Sequence, residues 1–410
     1  PFPWQTRLAA NVLDTGEGGG WPDVIAAPTS CGKTSVLDIA LFALAAQPER
    51  FPRRIVMVIE RRVVVDQGAL HAERIGERLR HATDPVARRV AEELRRLWNG
   101  PPDESPIECT VLRGGMPRDD AWARRPDRPV LALSTVDQVG SRLLFRGYGV
   151  SSRMASVHAG LLGHDTLFLL DEVHLSVPFA ETLMALRRRW RGFWPNSLPD
   201  RWGVVRLSAT PGLSAAGDRI FELPAGGPDD EHPRLKARLD AHKPAELREI
   251  RVQGRDESVR REMFVTGCVR ATLELLERAD DPKAKLQTIG VIVNRVAAAR
   301  EIAGELRVRA GRTCDVQLLT GRMRPVDRDL VLRDLLPRIQ AGRDRSSQSR
   351  PLIVVATQCI EAGADFDFDA LVTECASFDA LKQRFGRLDR LGDRHAGGLS
   401  SPAVIVARSD

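Results

Sequence analysis

Lysine is scarce in this 410-residue chain: only six of its 61 basic residues are lysines (Lys33, Lys236, Lys243, Lys283, Lys285, Lys382). A general preference for arginine leaves one of them unexplained, because Lys33 stands alone in the first 235 residues. A site that wants a compact point charge rather than a planar fork would require it. Cysteine is also sparse. Cys31, Cys109, Cys268, Cys314, Cys359 and Cys375 are scattered with no CxxC spacing, which excludes a zinc knuckle or a disulfide framework and makes a reducing cytosol the simplest home. No apolar run approaches the roughly 20 residues of a membrane span, so no membrane is expected. The chain opens at Pro1 with neither methionine nor a signal-peptide pattern, so the native protein is expected to begin upstream. Neither a sequence repeat nor a low-complexity tract is present.

What is present fits a globular protein of two domains, at about 100 to 200 residues each. Hydrophobic residues make up 43% and charged residues 28%, with a net charge of +6 that suits a polyanionic partner. Short β-branched runs alternate with helical patterns. Residues 24–27, 54–60, 109–113, 130–134, 167–170 and 204–208 read as buried strands, with helices such as 63–80 and 177–192 between them. After Thr210 the pattern dissolves into Gly, Pro and Asp. A second strand series follows at 289–294, 316–319, 352–357, 370–374 and 403–407. The expected fold is therefore α/β, two tandem domains, each a mostly parallel sheet with helices on both faces. Their bounds read as 1–212 and 255–410, with 213–254 as linker. Residues 99–106 and 341–351 read as loops.

Directly after the first strand comes APTSCGKTS, residues 27–35. Gly32, Lys33 and Thr34 form the GK[ST] core of a phosphate-binding loop spanning Thr29, Ser30, Cys31 and Ser35. Backbone N–H groups at a helix N-terminus cradle phosphates, Lys33 reaches the β and γ oxygens, and Thr34 ligates Mg2+. The loop departs from the usual pattern at Ala27 and Ser30, where glycines are common. A magnesium loop needs an acidic partner at a neighbouring strand end, and LFLLDEVH supplies Asp171 for the metal and Glu172 to orient or deprotonate the attacking water. ATP and Mg2+ are the implied cofactors. In an open parallel sheet both motifs gather at the carboxyl ends of strands.

Asp171-Glu172-Val173-His174, Ser208-Ala209-Thr210 and QRFGRLDR at 383–390 stand in the order of motifs II, III and VI of superfamily 2 helicases, and the chain resembles that family from Trp4-Gln5 to Arg390. The resemblance implies RecA-like domains and a set of roles. Gln5 resembles the glutamine that reads adenine. Ser208, Thr210 and His174 would couple hydrolysis to domain movement, and Gln383, Arg387 and Arg390 belong to the motif whose arginines reach the γ-phosphate. Planar cations delivered late suit the charge spread over transferring phosphoryl oxygens. Arg61, Arg113, Thr135, Arg322 and Thr357 fall in segments that look like strand-tracking motifs, while Gly363 and Asp365 are expected on the nucleotide side. Loops offering amides, hydroxyls and arginines suit phosphate contacts without base reading.

ERRVVVDQ, STVDQVGSRLLFRGYGVS, LLDEVHLSVPF and LTGRMRPVDRD together resemble the helicase core of the CRISPR-associated helicase-nuclease of type I systems, most like subtype G, formerly U. That resemblance implies a prokaryotic motor recruited to the R-loop of an RNA-guided surveillance complex. It would pull the displaced single-stranded DNA 3' to 5' past an HD nuclease. The alternatives are an RNA helicase of the same superfamily and an ATP-gated clamp with little turnover. His164-Asp165 could belong to an HD site, but it precedes the strand whose far end carries Asp171, roughly 20 Å away at about 3.3 Å per residue. His158 is the nearest further ligand. The pair reads instead as a turn, and the nuclease is expected in a missing flank or on a separate chain.

Overall fold

The computed structural model describes residues 1–410 apart from 29, 61, 115–119, 173–175, 191–200, 209–216, 224–225, 252–255, 278–285, 346–349, 361–364 and 410. Two compact units divide the chain, Pro1–Asp229 and Asp230–Asp410.

The first unit is built on β1 (Val24–Ala26), β2 (Arg54–Val58), β3 (Glu108–Leu112), β4 (Val130–Ser134), β5 (Thr166–Asp171), β6 (Trp202–Ser208) and β7 (Ile220–Glu222). They form a sheet in the order β3-β4-β2-β5-β6-β1-β7, parallel throughout. All five residues of β2 and of β4 are buried, which a strand covered on both faces demands. Val56, Val58, Val130, Ala132, Phe168 and Leu170 point into one core with the helices Val136–Leu143 and Val177–Trp190. The alternate residues Ile55, Met57, Leu131, Leu133, Leu167 and Leu169 are buried as well.

The second unit holds β8 (Ala245–Arg251), β9 (Thr288–Ile292), β10 (Asp315–Leu319), β11 (Leu352–Ala356), β12 (Ala370–Glu374) and β13 (Ala403–Ser409), in the order β10-β11-β9-β12-β13-β8. Every pairing is again parallel. Ile289, Val291, Ile353, Val355 and Val372 face one core, and Ile292, Leu352, Val354 and Leu371 face another. This period-2 division of consecutive apolar residues places helices on both sides.

Each central strand predicted from apolar runs is present. The two strands not predicted, β7 and β8, lie inside 213–254, the segment read as linker, and each adds to the edge of a different sheet. Their sequences IFE and AELREIR carry no apolar run, because an edge strand needs only one covered side. All seven residues of β8 pair with β13, so backbone hydrogen bonding and not hydrophobic pattern defines this strand. Among the described residues, no helix is long and apolar enough to cross a membrane.

Candidate functional site

Parallel register brings the ends of three strands of the first unit to one level: Ala26 pairs with Ser208, and Leu207 with Asp171. The loop after β1 and the acidic pair after β5 therefore share the carboxyl edge, with β6 between them. They meet through side chains. The Nζ of Lys33 donates to Oε1 of Glu172 at 3.0 Å and lies 3.4 Å from the carbonyl of Ala27. Both charged side chains are only 10% exposed. Glu172 sits at φ 48, left-handed backbone for a non-glycine residue.

The loop's conformation explains its composition. Gly32 has φ 80, and a Cβ there would come 3.0 Å from Nε2 of Gln5 and 3.4 Å from the ring of Phe2. The left-handed backbone and these close neighbours favour glycine here. Ser30, where another glycine was expected, also takes a left-handed φ of 65. The backbone thus keeps the shape of a glycine-bearing loop and carries the conformational cost of a serine in it. Lys33–Ser35 form a short 3-10 turn that opens the helix Val36–Ala46, with Ser35 Oγ donating to the carbonyl of Gly32 at 2.8 Å. Thr34 is exposed.

Gln5 packs against this loop. Its Oε1 accepts from the backbone of Phe2 at 2.8 Å and its Nε2 lies 3.4 Å from the carbonyl of Gly32. Trp4, fully buried, donates Nε1 to the carbonyl of Cys31 at 3.1 Å, and its backbone N–H donates to Asp229 at 2.8 Å. Asp229 also pairs with Arg7 at 2.7 Å. Sequence reading missed Trp4 and Asp229 as supports of the loop. A buried acid in the Asp-rich stretch GGPDDEH looks like any turn carboxylate until the fold delivers it to the N-terminal helix.

In the second unit, Ser377 begins the helix Phe378–Phe385 by accepting from the N–H of Ala380, and Gly386 ends it. Arg387 and Arg390 therefore stand on a turn, not on a helix face. Gln383 is buried. Arg387 is 2% exposed, with Nε donating to the carbonyl of Ile360 at 3.3 Å. Arg390 donates from Nε to Asp365 at 2.8 Å and from its backbone N–H to Asp367 at 2.8 Å. Beneath this turn, Asp367 and Asp369 are fully buried and bonded to Arg343 at 3.0 and 3.1 Å. Arg345 joins both carboxylates, and Asp369 accepts further from the N–H groups of Gln287 and Thr288. Residues 341–351, read from sequence as a plain loop, thus supply the cations of a buried ionic network. The alternation ADFDFDA was its one visible sign, with Phe366 and Phe368 filling the core between the acids.

The strand-tracking candidates fall into two pairs. Arg113 follows β3 and is half-buried, beside Thr135, whose N–H donates to the carbonyl of Leu112 at 3.1 Å. Arg322 follows β10 and is exposed, near Thr357, whose N–H donates to the carbonyl of Leu319 at 3.3 Å. Each pair lies at the carboxyl end of the edge farthest from the seventh or sixth strand of its sheet. Ser208 is buried at the end of β6. Thr29, Arg61, His174, Thr210 and Gly363 lie outside the described residues.

In the pair His164-Asp165, the aspartate is tied into backbone and arginine contacts. Asp165, at φ 52, accepts from the backbone of Arg53 at 3.1 Å and pairs with Arg54 and Arg201, each at 3.5 Å. Burial pushes the Arg54 guanidinium down to about 10, and Asp165 opposes that shift. His158 is buried against the ring of Trp122, 3.5 Å from Asp120, where burial lowers its pKa. Among the described residues no group of three or more His, Cys, Asp or Glu side chains could hold a metal ion. Asp165→Ala is expected to cost about 3 kcal/mol in urea unfolding, because it strips a buried arginine of its counter-charge. ATP turnover per folded molecule should be unchanged; lost turnover with unaltered stability would return the pair to the list of active residues.

Comparison with known proteins bears on both units. Residues 285–393 match the family described as CRISPR-associated nuclease/helicase Cas3, C-terminal. A Cas3 nuclease/helicase of Methanothermobacter thermautotrophicus is 33% identical over 120 residues, 29% of this chain and 13% of that protein. A Cas3 helicase of Thermoproteus tenax is 34% identical over 134 residues, 32% of this chain and 22% of that protein. Residues 285–393 are thus similar to the C-terminal part of Cas3 proteins. The crystal structure of T. fusca Cas3 with ADP superposes on all of this chain at TM-score 0.64 and 19% identity, covering 46% of that chain. The DEAD-box helicase Mss116 bound to ssRNA superposes on 98% of it at TM-score 0.57 and 13% identity. The two-unit fold is thus the RecA-like pair seen in both of these structures. The chain spans less than a quarter of the length of these two curated relatives.

Proposed function

We propose that this chain is a Cas3-like, ATP-dependent motor that translocates on single-stranded DNA in type I CRISPR interference. The observation that carries the reading is the contact of Lys33 with Glu172 beside a loop that turns through a left-handed Gly32 at the carboxyl edge of a parallel sheet. The donor set suits both implied groups. Gly32 leads into the turn that opens the helix Val36–Ala46, and the start of a helix is where backbone N–H groups bind phosphate oxygens. Thr34 and Asp171 are a hydroxyl and a carboxylate, the oxygen donors Mg2+ takes when substrate phosphates and water complete its shell; an all-protein cage is not needed. The ion would neutralise charge building on the phosphates.

The chain's own residues would divide the work. Lys33 exchanges its carboxylate partner for the β and γ oxygens. Glu172, released, orients the attacking water and accepts its proton. Arg387 and Arg390 supply the late-arriving cations. The pairs Arg113/Thr135 and Arg322/Thr357 would bind the strand's phosphates, and Ser208 would link hydrolysis to movement. We place the displaced strand of an R-loop, a surveillance complex and an HD nuclease among the partners, the closest resemblance being to subtype G. The test is ATP hydrolysis by the native chain and by Lys33→Ala, with and without single-stranded DNA or RNA. DNA should stimulate the native chain, and Lys33→Ala should lose nearly all turnover. Stimulation by RNA alone would overturn the CRISPR reading, and a native chain without hydrolysis would overturn the motor.

A further inference from the structure

Lys243 is a half-buried cation that the site described above does not use. It precedes β8, and its Nζ donates to the carbonyl of Phe385 at 3.0 Å. That carbonyl belongs to the last turn of the helix Phe378–Phe385, where peptide dipoles concentrate negative charge, and it also accepts from the N–H of Leu388 at 3.1 Å. The turn with Arg387 and Arg390 begins at the next residue. Two further contacts hold the same stretch of chain. The N–H of His242 donates to Nδ1 of His395 at 3.5 Å. Gly392, at φ 73, lies so close to the helix Pro233–Leu239 that an added Cβ would overlap the carbonyl of Ala237. Residues 237–243, by which the chain enters the second unit, are therefore fastened at three points to residues flanking the arginine pair.

We propose that Lys243 is a positioning residue for Arg387 and Arg390, which fastens the entry segment of the second unit to the turn that carries them. The proposal rests on the reading of those arginines as γ-phosphate fingers. The Phe385 carbonyl already accepts from the N–H of Leu388 at 3.1 Å, so one further donor completes it, and a compact ammonium supplies that donor where a guanidinium would bury unmatched N–H groups. The same logic that singles out Lys33 in an arginine-rich chain singles out this second lysine.

The charged groups facing Lys243 are Asp389 and Asp367, which hold its proton, and Arg390 and Arg387, which oppose it. Burial dominates and pushes the amine from its ordinary 10.5 down to about 8. Loss of the proton therefore weakens the hold on the turn above about pH 8. Stability must move the other way. The folded amine binds its proton less tightly than the unfolded one, so the fold gains stability as pH rises from about 8 towards 10.5.

The experiment measures DNA-stimulated ATP turnover and thermal stability across about pH 6.5 to 9.5 for the native chain, Lys243→Met and Lys243→Arg, with Arg387→Ala and Arg390→Ala alongside. The native chain should lose kcat on an alkaline limb near pH 8 without losing stability. Lys243→Met should lower kcat about tenfold, leave KM within about twofold, and abolish the limb. If Lys243→Met does not fold, Lys243→Arg decides, since its cation does not titrate in this range: the limb must vanish, and a limb that persists overturns the proposal. Native kcat and limb in Lys243→Met, with Arg390→Ala inactive, overturns the positioning role and spares the finger reading. Full turnover in both arginine variants sinks the finger reading and the proposal with it.

Discussion

Arg390→Ala is expected to lower ATP turnover about 10³- to 10⁵-fold while nucleotide affinity stays nearly unchanged. An arginine that meets the γ-phosphate only as charge develops contributes to the transition state and not to the ground state, so kcat falls and KM does not. Arg390 is a cleaner probe than Arg387. Its Nε rests on Asp365, a carboxylate 42% exposed, and such a pair contributes at most about 1 kcal/mol to stability. Its backbone N–H, which Asp367 holds, survives the substitution. Arg387, in contrast, is 2% exposed and bonded to the carbonyl of Ile360, so its truncation would mix loss of fold with loss of chemistry. Steady-state kinetics with a fluorescent-nucleotide binding assay separates the outcomes. Equal loss of affinity and turnover in Arg390→Ala would make this residue a ground-state anchor.

Glu172→Gln should lower turnover about 10²- to 10⁴-fold, the usual worth of a positioned general base. Its effect on binding should have the opposite sign. Lys33 rests on Glu172 at 3.0 Å with both side chains mostly shielded from water, so phosphates must compete with that carboxylate for the amine. A neutral amide competes less well by about 1 kcal/mol, and nucleotide should bind about fivefold more tightly. Binding measured by calorimetry and turnover measured by phosphate release give the two numbers. Undiminished turnover would remove Glu172 from the chemistry, and weaker binding would show that the carboxylate supports the loop instead of competing for it.

Much of the first site was legible because it is local in sequence. The loop Ala27 to Ser35 sits between a strand and a helix, and the DE pair closes a strand, so spacing alone places each at a carboxyl end. The contacts that support them were not legible. Trp4 and Asp229 are separated by 225 residues, and no pattern links a buried indole to a turn carboxylate until the chain folds. The same holds for Arg343 and Arg345 beneath the second unit's arginine turn. They lie in a polar stretch whose composition says loop, and only burial against Asp367 and Asp369 shows what the charges do.

The sequence by itself determined the two parallel α/β sheets, because strands buried on both faces must be continuous apolar runs, and it determined where the loop 27–35 and the acidic pair fall. It also set His164-Asp165 at the opposite end of that strand from the acidic pair, because the strand between them is a continuous apolar run. The tertiary structure alone decided the edge strands β7 and β8, whose pairing depends on backbone hydrogen bonds supplied by neighbours. It alone set Lys33 on Glu172, and Lys243 on the end of the helix before the arginines. Such contacts depend on which distant segments the sheets bring within 3 Å, and side-chain identity along the chain carries no record of that distance.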